Sequence, residues 1–201
     1  MAKLDEAGML VDPRIRIKRF SHIEHGSLAE IRAIVVHQTD SPSEQATFES
    51  YNRGGNGAHF LIAKSGQIYQ TASLKNRCYH VGRLIKSKCL QIEKSECKDE
   101  ELAKVMALKW AARSRAIDEI ERKKRYPVRF PVNSDSVGVE LVGKSVSDTE
   151  YEPVTPQQNV SLRWLIGELY VCLSLIESDV YRHPDVSYKN PGEARDAKWR
   201  K

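Results

Sequence analysis

The stretch AEIRAIVVHQT, Ala29 to Thr39, gathers Ala33, Ile34, Val35 and Val36 into one apolar run and then breaks into His37, Gln38 and Thr39. A continuous, β-branched run of this kind reads as a buried strand, and the polar break marks where it reaches a functional edge. His37 stands at that edge. A second run, DSVGVELVG (residues 135–143), carries one carboxylate, Glu140, between Val139 and Leu141. A lone carboxylate is costly to bury unless it is paired, protonated or close to a metal, so Glu140 is either a working group or a strand residue turned to water.

Outward from the first strand, SPSEQATFESYN (residues 41–52) has Ser41 before Pro42, Glu44 in a first turn and Ala46, Phe48 and Tyr51 at helical spacing, closed by RGGNG. The runs AHFLIAK and QIYQTAS (residues 58–64 and 67–73), joined by Ser65-Gly66, read as a tight hairpin. Residues 98–126 put Leu102, Met106, Trp110, Ile117 and Ile120 near one face of a long covering helix that ends in the basic run RKKR. TPQQNVSLRWLIGELYVCLSLIES (residues 155–178) opens with Thr155, Pro156 and Gln158 as a capped helix, apolar nearly all round and hence buried. Residues 1–25 show little periodicity. The interleaving of strands and helices, without repeats or linkers, predicts an α/β fold with a central mixed β-sheet flanked by helices: an arm over residues 1–26 and one domain over 27–201.

Bulk composition agrees with this plan. The 201 residues suffice for one well-buried domain, 40% are hydrophobic and 29% charged, and no apolar run is long enough to cross a bilayer. The excess of 32 basic over 27 acidic residues, a net charge of +5, favours anionic polymers without selecting one. The segment RKKRYPVR lacks the interleaved aromatics of a nucleic-acid site, and a basic helix end explains it without such a partner. The amino terminus mixes charges where a secretory signal would be apolar, so no general export route is expected from it. Of the four cysteines, Cys89 and Cys97 flank a polar loop. They are a disulfide pair if the protein works in an oxidising space, and reduced thiols if it does not.

Five ordered stretches carry a resemblance: AIVVHQTD (33–40), GAHFLIAKSGQIYQTAS (57–73), YHVG (79–82), NSDSVGVELVG (133–143) and RHPDVSYKNPGE (182–193). Together they resemble the zinc-dependent N-acetylmuramoyl-L-alanine amidases of the type 2 class, whose fold peptidoglycan-recognition proteins and phage amidase lysozymes share. The resemblance implies a single domain with a Zn2+ cleft that cuts the amide between muramic acid and L-alanine. It makes His37 and His183 zinc ligands, Glu140 the general base and Lys189 the cation facing the oxyanion. His59 and His80 would line the cleft or support the fold. Phage relatives place a tyrosine where this chain has Ala58, which favours the glutamate as base.

One departure leaves the third ligand open. Relatives read lysine, one residue, then Asp or Cys, whereas this chain reads Lys189, Asn190, Pro191, Gly192, Glu193. Asn190 is a poor zinc ligand beside a carboxylate, so Glu193 is the better donor if the turn folds back. Loss of that ligand would instead give a catalytically silent wall-binding module. The partners implied are peptidoglycan and muropeptides, acted on by a monomer without membrane insertion. The setting suggested is an antibacterial effector, delivered to a rival's periplasm by a secretion machine and matched by an immunity protein. Cytoplasmic recycling and phage lysis are the other settings.

Overall fold

A computed structural model describes residues 2–200; Met1 and Lys201, the outer ends of the expected arm and domain, lie outside the described residues. In chain order the elements are β1 (Lys3–Leu4), β2 (Leu10–Val11), β3 (Ile15–Ile17), β4 (Ala33–Gln38), α1 (Glu44–Arg53), β5 (Phe60–Ile62) and β6 (Ile68–Gln70). There follow α2 (Glu100–Val105), α3 (Trp110–Lys123), β7 (Ser136–Leu141), β8 (Ser145–Ser147), β9 (Glu150–Tyr151), α4 (Pro156–Leu173), β10 (Val180–Arg182) and α5 (His183–Val186).

Six strands form one mixed sheet in the order β10-β4-β7-β5-β6-β3, in which only the β5–β6 pair is antiparallel. Strand alternation divides its residues cleanly. Ile34, Val36, Val137, Val139, Leu141, Phe60 and Ile62 face Leu162, Leu165, Ile166 and Leu169 of α4 in the main core. The opposite face carries Leu61 under Phe48 and Tyr51 of α1, and Val35 beneath Val81, Ile85 and Phe130. Glu140 lies on this second face, because it alternates with Val139 and Leu141.

The two long apolar strands, the hairpin and the capped helix stand where the sequence reading places them. Ser43 caps α1 by accepting from the Ala46 amide, and Thr155 and Gln158 form a full capping box on α4. The hairpin loop is Lys64-Ser65-Gly66, three residues rather than two: the Ala63 amide bonds Gln67 and Gly66 takes φ +87°. Helix α4 is buried on one face only, and Val160 and Val171 on the other are 66% and 60% exposed. The low-periodicity amino-terminal segment contributes β3 to the sheet edge, and buried Gln70 bonds Leu10 and Gly8.

The expected long helix is two. In one helix, Leu102 and Ile117 would be about 22 Å apart. Instead they share a cluster with Ile120, Leu90 and the Cys89–Cys97 disulfide, which requires the chain to turn back between α2 and α3. Burial of that cluster outweighs the helix propensity of residues 106–109 and turns Met106 and Trp110 outward.

Candidate active site

The sheet brings together the residues singled out from the sequence. In the parallel β4–β7 ladder, His37 is the register partner of Glu140, so both side chains project from the same face at adjacent positions. Strand β10 lies on the other side of β4, with Arg182 opposite Val36, so the next residue, His183, reaches the same level as His37. These are the carboxyl ends of the parallel strands, where open α/β sheets place their sites. The cleft above them has a volume of ≈ 1180 Å³ and is lined by Tyr51, Asn133, Tyr188 and Lys189 as well.

Glu193 arrives from the carboxyl-terminal loop. Its Oε1 lies 2.9 Å from His183 Nδ1 and 3.4 Å from His37 Nδ1, and the three side chains are buried. Their ligand atoms lie within 4.8 Å of one another. Asn190 turns away: its amide nitrogen donates to the Ser147 carbonyl and its oxygen accepts from the Gly192 amide. Lys189 stands at the cleft wall beside Gly82, whose missing side chain leaves room for the lysine stem.

The hydrogen-bond network sets the imidazole tautomers. Ser136 Oγ donates to the Val132 carbonyl, so the Ser136 oxygens facing His80 Nε2 at 3.3 Å are acceptors and His80 carries its proton there. His80 Nδ1 then accepts from His37 Nε2–H at 3.1 Å, which leaves His37 Nδ1 as a bare lone pair. His183 Nε2 faces the Val81 carbonyl at 3.0 Å and so carries a proton there, which leaves Nδ1 as the atom facing Glu193. Both Nδ1 atoms and the Glu193 carboxylate therefore converge on one point, an arrangement that neutral rings offer to a cation through their lone pairs. Two histidines and one carboxylate, each histidine donating its far N–H to a fixed acceptor, match a zinc site's donor set and its outer support.

Electrostatics reinforce this. Burial and the neighbouring His183 lower the His37 pKa to about 4, which keeps the ring neutral as a ligand must be. Burial works against the Glu193 charge, yet His183, with Nδ1 2.9 Å from Oε1, holds its carboxyl down to about 2. Glu140 differs: burial, with Glu193 nearby, raises its pKa to about 7 although the Tyr51 hydroxyl donates to it at 2.6 Å. A carboxylate poised near neutrality can take and return a proton.

Sequence reasoning missed Tyr51, whose only signal was its helical spacing, and Gly138, two residues before Glu140. A side chain at Gly138 would come 2.8 Å from the His80 ring, so the glycine lets that ring lie against β7. His59 supports the same strand, its Nδ1 accepting from the Gly138 amide and its Nε2 donating to the Asn76 carbonyl.

Comparison with known proteins agrees with this arrangement. A family profile described as N-acetylmuramoyl-L-alanine amidase matches residues 27–197. No curated protein sequence matches the chain. Among solved structures, the endolysin N-acetylmuramoyl-L-alanine amidase LysCS from Clostridium intestinale is 20% identical, with 87% of this chain and 84% of that one covered at a TM-score of 0.50. AmpD is 16% identical over 92% and 88% of the chains, TM-score 0.54. AmpDh3 from Pseudomonas aeruginosa, solved with an anhydromuramic pentapeptide, is 16% identical over 81% and 53%, TM-score 0.52. With the fold, the cleft and a family match over most of its length, the chain belongs to the type 2 N-acetylmuramoyl-L-alanine amidases, which hydrolyse the amide between muramic acid and L-alanine in peptidoglycan.

Proposed function

We propose that the enzyme holds one zinc ion on His37, His183 and Glu193 and that Glu140 and Lys189 carry the hydrolysis of muropeptides or sacculi. The convergence of two histidine nitrogens and a carboxylate oxygen within 4.8 Å of one another carries this reading. Zinc held there supplies Lewis acidity to the scissile carbonyl and its attacking water. Glu140 takes the proton from that water, with Tyr51 holding its other oxygen, and delivers it to the departing amine of L-alanine. Lys189, at the cleft wall, offsets charge developing on the carbonyl oxygen.

The likeness to AmpDh3, crystallised with an anhydromuramic pentapeptide, supports a muropeptide as occupant of the cleft. The disulfide between Cys89 and Cys97 supports work in an oxidising space. We therefore read the protein as a monomeric antibacterial effector that acts in the periplasm after delivery by a secretion machine and is countered by an immunity protein. Expression of the chain with and without a periplasmic leader tests the compartment, since only the exported form should lyse cells.

The decisive experiment is muropeptide release from purified sacculi before and after chelation and zinc return. Release that stops with the chelator and resumes with zinc is expected; binding without release at any stage would make the protein a silent wall-binding module. Glu193→Ala should lose bound zinc in elemental analysis, whereas Asn190→Ala should keep it, and the reverse pattern would move the third ligand.

A further inference from the structure

Both metal histidines depend on two consecutive residues. His80 accepts from His37 Nε2–H, and the Val81 carbonyl accepts from His183 Nε2–H. These two residues lie between strands, just after a single bridge from Tyr79 to Asn56, and their backbone amides both point at one atom. Asn133 Oδ1 accepts from the His80 amide at 2.9 Å and from the Val81 amide at 2.8 Å.

Asn133 is itself held. It lies in the turn from Val132 to Ser136, which the Asp135 amide closes on the Val132 carbonyl and the Asp135 carboxylate braces by accepting from the Val132 amide at 2.7 Å. Arg129 donates to the other Asp135 oxygen at 2.6 Å. Ser136, at the end of the same turn, anchors the far side of the His80 ring. One five-residue turn thus grips residues 80 and 81 by their amides and by the His80 side chain together.

We infer that Asn133 is a positioning residue for the metal centre, fixing through His80 and Val81 the orientation and tautomer of both histidine ligands at once. A side-chain amide oxygen has two lone pairs and can satisfy both amides, which no apolar residue can. Without it both amides lose their acceptor, the segment is held only by the Tyr79 bridge and the packing of Val81, and a small shift there weakens both ring bonds. The two histidines should then fail together, unlike the loss of a single support. Outer partners of this kind are typically worth about 10–100-fold in metal affinity.

The inference rests on the zinc reading but is tested apart from it. In metal-free wild-type protein, ¹⁵N imidazole spectra should show His37 and His183 each protonated at Nε2, and a ring without that proton would overturn the clamp. Asn133→Ala should show mixed tautomers in both rings and bind zinc about 10–100-fold more weakly by chelator competition. Asn133→Asp, which keeps the accepting oxygen, should restore most of that affinity. A folded Asn133→Ala protein with wild-type tautomers and affinity would overturn the proposal; if that variant does not fold, Asn133→Ser, too short to reach both amides, is read in the same way. A wild-type protein with the expected tautomers but no zinc affinity would sink the zinc reading while supporting the clamp.

Discussion

Glu140 shows how a residue proposed as the general base loads the fold. Its pKa is raised from 4.5 to about 7, so the folded protein binds its proton more tightly than the unfolded chain does. The stability this proton provides is complete below the ordinary carboxylate range and is lost as pH rises through about 7. Ionised Glu140 then costs on the order of 2 kcal/mol in the metal-free protein, less than the full shift implies because the cleft still admits water. Glu140→Gln should keep zinc, lose roughly 10²–10⁴-fold in hydrolysis and melt above the wild type at pH 8 but not at pH 4. Calorimetry of the chelated proteins at both pH values checks this, and equal melting at pH 8 would mean that the carboxylate is not strained. His37, His183, Glu140 and Glu193 were legible because ionisable side chains stand out at the ends of apolar runs and in polar loops. Tyr51 and Asn133 were not, since a tyrosine on an apolar helix face and an asparagine in a turn have ordinary local explanations, and only tertiary contact reveals their partners.

Among the elements, legibility followed length and periodicity. Strands β4 and β7 and helix α4 were evident because each satisfies a local pattern for six residues or more. Strands β3 and β10 have three residues apiece and gain their identity from pairing with a neighbour, which no local window contains. The α2–α3 hairpin was read as one helix because its residues favour helix throughout, while the reason for the turn lies in Leu102 meeting Ile117. That hairpin also reaches the site. Asp118 accepts from the Ile85 amide, Arg122 donates to the Arg83 carbonyl, and Trp110 stands against Tyr188 at the cleft rim. Replacing Cys89 and Cys97 by serine should therefore do more than lower the melting temperature, for which a closed loop of this size predicts about 2.5 kcal/mol. Hydrogen exchange should quicken across residues 89–123 and spread to residues 83–85; exchange confined to residues 89–97 would show that the disulfide braces only its own loop.

For the molecule as a whole, the amino-terminal segment carries more than its weak pattern suggested. Leu10 and Ile15 belong to the main core, the Ala2 amide donates to Glu168 of α4, and Gln70 would lose two buried partners without it. Deleting residues 2–19 exposes β6 as a new edge and removes about 1.5–3 kcal/mol for each large apolar side chain lost. The truncated chain should unfold at clearly lower denaturant concentration and aggregate, and an unchanged midpoint would show that the segment merely decorates the sheet.

The pairing of His37 with Glu140 across the β4–β7 ladder has an evolutionary consequence. Their spacing is set by the distance between hydrogen-bonded strands, about 4.8 Å, which no substitution can retune without breaking the sheet. Glu193 comes instead from a loop, but a closely packed one: a side chain at Gly192 would come 2.4 Å from the Thr149 carbonyl, and Ala194 is fully buried. The sheet-borne pair is therefore expected to stay in place across evolution, while the position proposed as third ligand can change only together with the residues packed on its loop, Thr149 and Glu150 first.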